Sequence, residues 1–304
     1  MKTALHVNGP DRPPPLRVEA AEGRRLVLRQ GGAPVLFAVQ RASHRGVHYA
    51  RTDTCTSPVP PPRATTARAL REASPTQEDW YERWAHHVAQ ALRIAVNGPL
   101  HAGSWQLTSG MPPWSVDAHW DSFLSYDPPR GHLTWFGYGD PVEEARDVLP
   151  LRTLSPTGTA RVRAYRRQLR EGVLPPAVLW WISGLNTLVV LDGHDRITAA
   201  LAEGTRPDVF VLSRASPEGW AEWAAGPRVT AYEHRMRVLG EQRAAGDPLA
   251  AHRMSVESRR LATDLRDLTT SPELTRAWPL DGGPRAWRHL ASSHVPNWQP
   301  DDRD

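Results

Sequence analysis

The stretch "VVLDGHDRITAALAEG", Val189 to Gly204, decides the fold. With Leu188 just before it, four apolar residues, Leu188–Leu191, run straight into Asp192-Gly193-His194-Asp195-Arg196, and a small-residue helical pattern begins at once. The turn joins a buried strand to a buried helix. Working outward, Ala177–Ile182 predicts a strand that leads through Ser183-Gly184-Leu185-Asn186-Thr187 into a second strand, Leu188–Leu191. A helix follows over His194–Glu203, with Gly204 placed to end it in a left-handed cap. Asp208–Leu212 supplies another strand, and Ala160–Glu171 a helix that carries Val162, Tyr165 and Leu169 on one face and stops at Gly172.

The turn has the parts of an anion site. A helix starting near His194 leaves its first backbone N–H groups without intrahelical partners, and its dipole places partial positive charge there. Gly193 has no side chain to keep a ligand from the backbone. Arg196 adds a forked donor suited to phosphate or carboxylate. With Ile197, Ala200 and Leu201 facing the sheet, His194 and Arg196 are expected to face the mouth. The plainer reading has Asp192 capping the helix, Asp195 favouring its dipole by ~0.3–1 kcal/mol, and Arg196 paired with a nearby carboxylate.

The 304 residues are 40% hydrophobic and 23% charged, an ordinary globular composition with room for about two domains. No apolar run approaches the ~20 residues that span a bilayer, and no membrane partner is expected. The N-terminus begins like a signal peptide, but Asn8, Asp11 and Arg12 break any apolar core. One cysteine, Cys55, excludes an internal disulfide framework and a cysteine-rich metal site, and fits a cytoplasmic setting. Lys2 is the only lysine, so the interior of the chain has none for a Schiff base or a Walker-type phosphate contact. The abundance of arginine, alanine and proline fits a GC-rich coding sequence. The net charge of +4 is spread along the chain and gives little support for DNA as a partner.

The pattern divides the chain into a β-rich region at 1–56, a proline-rich linker at 57–73 and a tryptophan-rich connector at 74–146. A small α/β domain at 147–214 and a helical region at 215–304 follow. Strands are read at Leu26–Leu28 and Pro34–Val39 about the turn Gly31-Gly32. Ser74-Pro75-Thr76-Gln77 reads as a helix start with a serine cap, continued by Trp80, Trp84, Val88 and Leu92. Residues 100–140 read as irregular, and Ser216-Pro217 and Ser271-Pro272 as further helix starts. The fold class expected is α+β.

Leu149 to Ser213, "LPLRTLSPTGTARVRAYRRQLREGVLPPAVLWWISGLNTLVVLDGHDRITAALAEGTRPDVFVLS", resembles the ParB/sulfiredoxin-like superfamily. The shared order is a Pro-Leu strand start, a polar turn, a helix ending in glycine, a "PPAV" strand, a hairpin and the Asp-Gly-His-x-Arg turn. The resemblance implies a compact α/β fold that binds nucleotide phosphates at this helix start. The superfamily includes CTP-binding partitioning proteins, sulfinic-acid reductases and a kinase acting on free serine. It implies that Gly193 and Arg196 contact phosphate, and that His194 stands where sulfiredoxins carry their catalytic cysteine. Cys55 lies far upstream, outside the matched region, which excludes sulfinic-acid reduction. Asp195 replaces a residue that is commonly basic, and a carboxylate there repels phosphate unless a divalent cation such as magnesium intervenes.

Serine-kinase-like members carry an acid in the turn that is here Ser155-Pro156-Thr157-Gly158-Thr159. A general base would be Asp192, Asp195 or His194, with histidine best placed on intrinsic pKa. Thr157, Thr159 and Arg161 are further donors to phosphate. The expected ligand is a nucleotide (ATP, ADP or CTP) or another phosphorylated small molecule, bound with magnesium. The activity implied is a metal-assisted phosphotransferase or nucleotide hydrolase. The alternative is a non-catalytic DNA- or protein-binding regulatory module, with a protein partner or a homodimer. Asp117, His119 and Asp121 alternate as D-x-H-x-D, a weak metal pattern, and no metal site is assigned to them. The arginines Arg161, Arg163, Arg166, Arg167 and Arg170 read as a solvated helix face that complements the helix dipole. Trp80 with Trp84, and Trp220 with Trp223, read as core or interdomain contacts.

Overall fold

The computed structural model describes all residues except 23, 41–45, 113–119, 121–122, 126, 135–147, 217–218, 271–273 and 301–304. The chain opens with β1 (Lys2–Val7), β2 (Leu16–Ala21), β3 (Arg25–Gln30), β4 (Ala33–Gln40) and β5 (Gly46–Arg51). Two helices, α1 (Ala64–Glu72) and α2 (Gln77–Ile94), precede β6 (Gly103–Ser109), β7 (Arg130–Thr134) and β8 (Val148–Pro150). Then come α3 (Ala160–Arg170), β9 (Ala177–Ile182), β10 (Thr187–Asp192), α4 (His194–Ala202) and β11 (Val209–Arg214). The last elements are α5 (Trp220–Ala244), α6 (Ala250–Thr270), β12 (Ala277–Pro279) and α7 (Gly283–His294).

The protein is α+β, with two mixed six-stranded sheets among the described residues. The first sheet has the order β1-β6-β11-β9-β10-β8, parallel at β11/β9 and β10/β8 and antiparallel elsewhere. The second has the order β12-β2-β3-β4-β5-β7, parallel only at β12/β2. Two compact units result: Met1–Arg214 with Leu274–Asp304, and Ala215–Glu273.

Strands β9 and β10 are buried at every position, which explains the apolar runs Ala177–Ile182 and Leu188–Leu191. The period of two sorts their side chains onto two faces. Val178, Trp180 and Ile182 join Leu28, Leu36 and Val47 of the second sheet in one core, which α2 extends with Trp80 and Trp84. Leu179 and Trp181 instead share a cluster with Ile197 of α4. On the second sheet, Phe37 turns the other way and meets Trp287 of α7 edge-on, with ring centroids 5.7 Å apart.

Several expectations are corrected. The proline-rich stretch lies inside the first unit and is followed by α1, because Ala67 can bury itself in the main core. The N-terminal residues form β1, and β6 occupies part of the region read as irregular; they pair along Lys2–Val7, and Leu5 and Trp105 are buried. The cap of α2 is Thr76, not Ser74. Its hydroxyl accepts from the Asp79 N–H at 3.1 Å, and the Asp79 carboxylate takes the Thr76 N–H, while the Ser74 hydroxyl donates back to Leu70 O at 2.6 Å. Trp223 is 76% exposed rather than packed. Trp114, Trp135 and Ser271-Pro272 lie outside the described residues.

Candidate functional site

At the end of β10 the chain turns through Gly193, whose φ of +93° is one that other residues rarely adopt. A Cβ there would stand 2.8 Å from the Ala177 Cβ and 2.8 Å from Arg196 Nη2. Glycine is therefore required both by the turn and by Arg196, which folds back over it. Helix α4 follows directly, with the Gly193 carbonyl accepting from the N–H groups of Arg196 and Ile197. Gly204 ends the helix at a φ of +69°, as the sequence indicates.

The expected exposure of His194 and Arg196 is not what the structure has. Asp192, His194, Asp195 and Arg196 are all buried, at 3–7% exposure. One face of α4 lies on the sheet through Ile197, and α3 covers another through Val162 and Tyr165 against Ala199. Glu203 ties the two helices by accepting from Arg166 at 2.6 Å and Arg170 at 2.7 Å. No side of the first turn is left bare.

Each polar group there has a defined setting. Asp192 accepts from the Ser57 hydroxyl at 2.7 Å through one oxygen and is ion-paired to Arg196 through the other. Asp195 accepts from the Ser155 hydroxyl at 2.7 Å and lies 3.4 Å from Arg161 Nε. The Leu151 N–H donates to His194 Nε2 at 3.3 Å, so the neutral ring carries its proton on Nδ1. Burial holds the imidazole well below its ordinary pKa, helped by the charges of Arg152, Arg51 and Arg196. The ring is thus a neutral donor, with its basic nitrogen already accepting. His194 Nδ1 and Arg196 Nε are both buried without a hydrogen-bond partner.

A second polar cluster holds the strap 151–155 over this turn. The buried Arg51 guanidinium pairs with Asp53 at 2.7 Å and with Asp127 at 2.8 Å, and donates to the Pro150 carbonyl at 3.2 Å. Asp53 takes the Thr153 N–H at 2.7 Å, and Asp127 takes the Leu154 N–H at 3.1 Å. Sequence reading missed Arg51, Asp53, Ser57, Asp127, Arg152 and Ser155, because nothing in their local patterns sets them apart from surface polar residues. Cys55, far away in sequence, packs in the same core as Leu149, Leu151 and Leu191, and burial pushes its thiol up to about 12.

Of the other predicted donors, Thr159 caps α3 by accepting from the Val162 N–H at 3.4 Å, and Thr157 is exposed. Arg161 reaches Asp195 with its side chain half exposed. Arg152 is partly buried and makes no hydrogen bond or ion pair among the described residues. Arg163 donates to the Gly158 carbonyl at 2.7 Å. The structure thus brings Asp192, Gly193, His194, Asp195, Arg196 and Arg161 together, and leaves Thr157 on the surface.

All four carboxylate oxygens of Asp192 and Asp195 already face a hydroxyl or a guanidinium, so this pair does not fit a magnesium ion. Among the described residues no group of three histidine, cysteine or acidic side chains could hold a metal. Asp117, His119 and Asp121 lie outside them. No described helix is long and apolar enough to cross a membrane. No family model, curated protein or solved structure matches this chain.

Proposed function

We propose that the chain is a binding module for a phosphorylated small molecule of the nucleotide class, held at the start of α4 beneath the 151–161 strap. The observation that carries this reading is the pair of buried donors, His194 Nδ1–H and Arg196 Nε–H, that lack an acceptor. A buried donor left unsatisfied costs about 1–3 kcal/mol, and a phosphate oxygen is an acceptor that would remove the cost. Arg51, Arg152 and Arg196 act on the His194 ring, and although Arg51, Arg161 and Arg196 are each paired with an aspartate, Arg152 and Arg161 are the cations best placed to meet an entering anion. The proposed relationship to the ParB/sulfiredoxin-like superfamily rests on the same turn and on the order of elements from β8 to β11.

The reading is of binding rather than turnover. His194 is a poor proton acceptor in this setting, and both acids are engaged. Magnesium enters only as the counter-ion of the nucleotide itself. The test is calorimetric titration with ATP, ADP, CTP and GTP, with and without magnesium, on the native chain and on Arg152→Ala and Arg161→Ala. The expected result is saturable heat with at least one nucleotide, weakened about tenfold or more in each variant. An ordered water could satisfy the same donors, and absence of heat with every nucleotide would favour that account and end the proposal.

The non-catalytic alternative, a DNA- or protein-binding module, is favoured by one observation: Arg196 is already closed on Asp192. Its DNA form is the weaker, since Arg161, Arg163, Arg166 and Arg170 all have intramolecular partners.

A further inference from the structure

Resting on the binding reading above, we propose that residues 152–155 are a lid on the phosphate site, latched shut by Asp53 and Asp127. The two donors that call for an acceptor, His194 Nδ1 and Arg196 Nε, are both buried, so an anion reaches them only if one wall of the site gives way. Among the described residues the walls are of three kinds. Strands β9 and β10 are sealed at every position by apolar packing. Helix α3 is fastened by Val162 and Tyr165 against Ala199 and by the ion pairs of Arg166 and Arg170 with Glu203. The third wall is the strap.

The strap is held in a different way. Strand β8 pairs with β10 through Val148, Leu149 and Pro150, and the proline has no N–H with which to carry the ladder on. Beyond it the N–H groups of Leu151, Thr153 and Leu154 go to side chains: His194 Nε2 at 3.3 Å, Asp53 at 2.7 Å and Asp127 at 3.1 Å. The Thr153 hydroxyl donates to Asp53 at 2.9 Å and that of Ser155 to Asp195 at 2.7 Å. Arg51 is paired with both Asp53 and Asp127 and so positions the latch. Rotating these side chains away releases the segment with no sheet bond broken. Leu151 is fully buried and fixes the near end, and Thr159 fixes the far end by capping α3. Between them residues 152–155 are partly or fully exposed, with Leu154 resting partly buried on the cluster of Ile197. A segment with few buried apolar contacts opens at less cost than the whole unit.

Arg152 gives the lid its reason to close on an anion. It is partly buried without a hydrogen bond or ion pair among the described residues, and its charge acts on both His194 and Cys55, which turns it toward the site. Arg51, Arg161 and Arg196 are each paired with an aspartate, which leaves Arg152 as the one arginine of the four without a counter-charge among the described residues. A phosphate under the lid supplies that counter-charge, and it binds the closed form better than the open one.

The test is amide hydrogen exchange on the full chain, read residue by residue by NMR and first without nucleotide. A lid predicts that Thr153 and Leu154 exchange at least about tenfold faster than the amides of β9 and β10 in the native chain. Asp53 sits at a φ of +59°, which glycine adopts freely, so Asp53→Gly removes the latch and keeps the backbone conformation. That variant should speed Thr153 and Leu154 by about a further tenfold and leave β9 and β10 unchanged. A saturating nucleotide, chosen from ATP, ADP, CTP and GTP as the one that gives heat in calorimetry, should slow both amides. Native protection of Thr153 and Leu154 equal to that of β9 and β10 overturns the lid, as does a variant that speeds all of them alike. A nucleotide that binds without slowing the two amides also overturns it. If no nucleotide binds, the binding reading fails by itself, and exchange in the free chain still decides whether the strap opens.

Discussion

At the residue scale, Arg196 and Asp192 show how one pair can be read two ways. Their i,i+4 spacing lets the guanidinium fold back onto the carboxylate instead of facing solvent. Removing one member of a buried pair leaves the other charged and unpaired, at a cost of about 3–5 kcal/mol. Arg196→Met is therefore expected to lower the denaturation midpoint sharply, and Arg196→Met with Asp192→Leu to recover most of the loss. If the single and double variants prove equally unstable, the pair is not what holds the turn. It follows that loss of ligand binding in an Arg196 variant would not separate structure from function, and Arg161 is paired with the buried Asp195, whereas Arg152, partly buried and without an ion pair among the described residues, can do so.

His194 gives a pH signature. Its imidazole is held neutral in the folded chain but titrates near 6.5 when unfolded. Below that pH the unfolded state binds the extra proton, so stability contributed above about 6.5 is lost as the pH falls. The slope is at most about 1.4 kcal/mol per pH unit. Urea unfolding at pH 7.5 and 5.5 should show a smaller pH-dependent loss in His194→Asn than in the native chain. Equal losses would mean that the ring is not buried in its neutral form.

At the element scale, the first sheet depends on a strand that looks unremarkable in the sequence. Leu5 is 1% exposed although its neighbours in β1 alternate toward solvent. Leu5→Ala should destabilise the first unit by about 2–5 kcal/mol in thermal or denaturant unfolding. A negligible change would show that β1 is dispensable to the core. The same strand shows what the sequence could carry. Strands β9 and β10 and helices α3 and α4 were legible to within two residues, because apolar runs and terminal glycines mark them. In β1, "KTALHV", only Leu5 is fully buried, and in β6, "GSWQLTS", glycine, serine and threonine imitate a loop. Both are strands because of what they pair with, which lies about a hundred residues away. The cap of α2 was misplaced for a related reason: Ser74 and Thr76 are both good caps, and Asp79 decides between them. The candidate site was legible only in its turn. The residues that close over it come from Arg51–Ser57, Asp127 and Arg152–Ser155, and proximity of that kind is set by tertiary packing.

At the scale of the whole molecule, the two compact units differ in how they are stabilised. The first has continuous cores on both faces of its central strands, while the only buried hydrophobics of the second, among the described residues, are Ala224 and Ala250. Ligand binding is proposed for the first unit. The account turns on the start of α4 being where a phosphate is received. A crystal of the full chain grown with CTP or ATP and magnesium tests this most directly. The account predicts phosphate density under the 151–161 strap within hydrogen-bond reach of Arg152 or Arg161, supplying the acceptor that His194 Nδ1 or Arg196 Nε lacks. Nucleotide absent from that place, with water at both nitrogens and Arg196 still closed on Asp192, would contradict it.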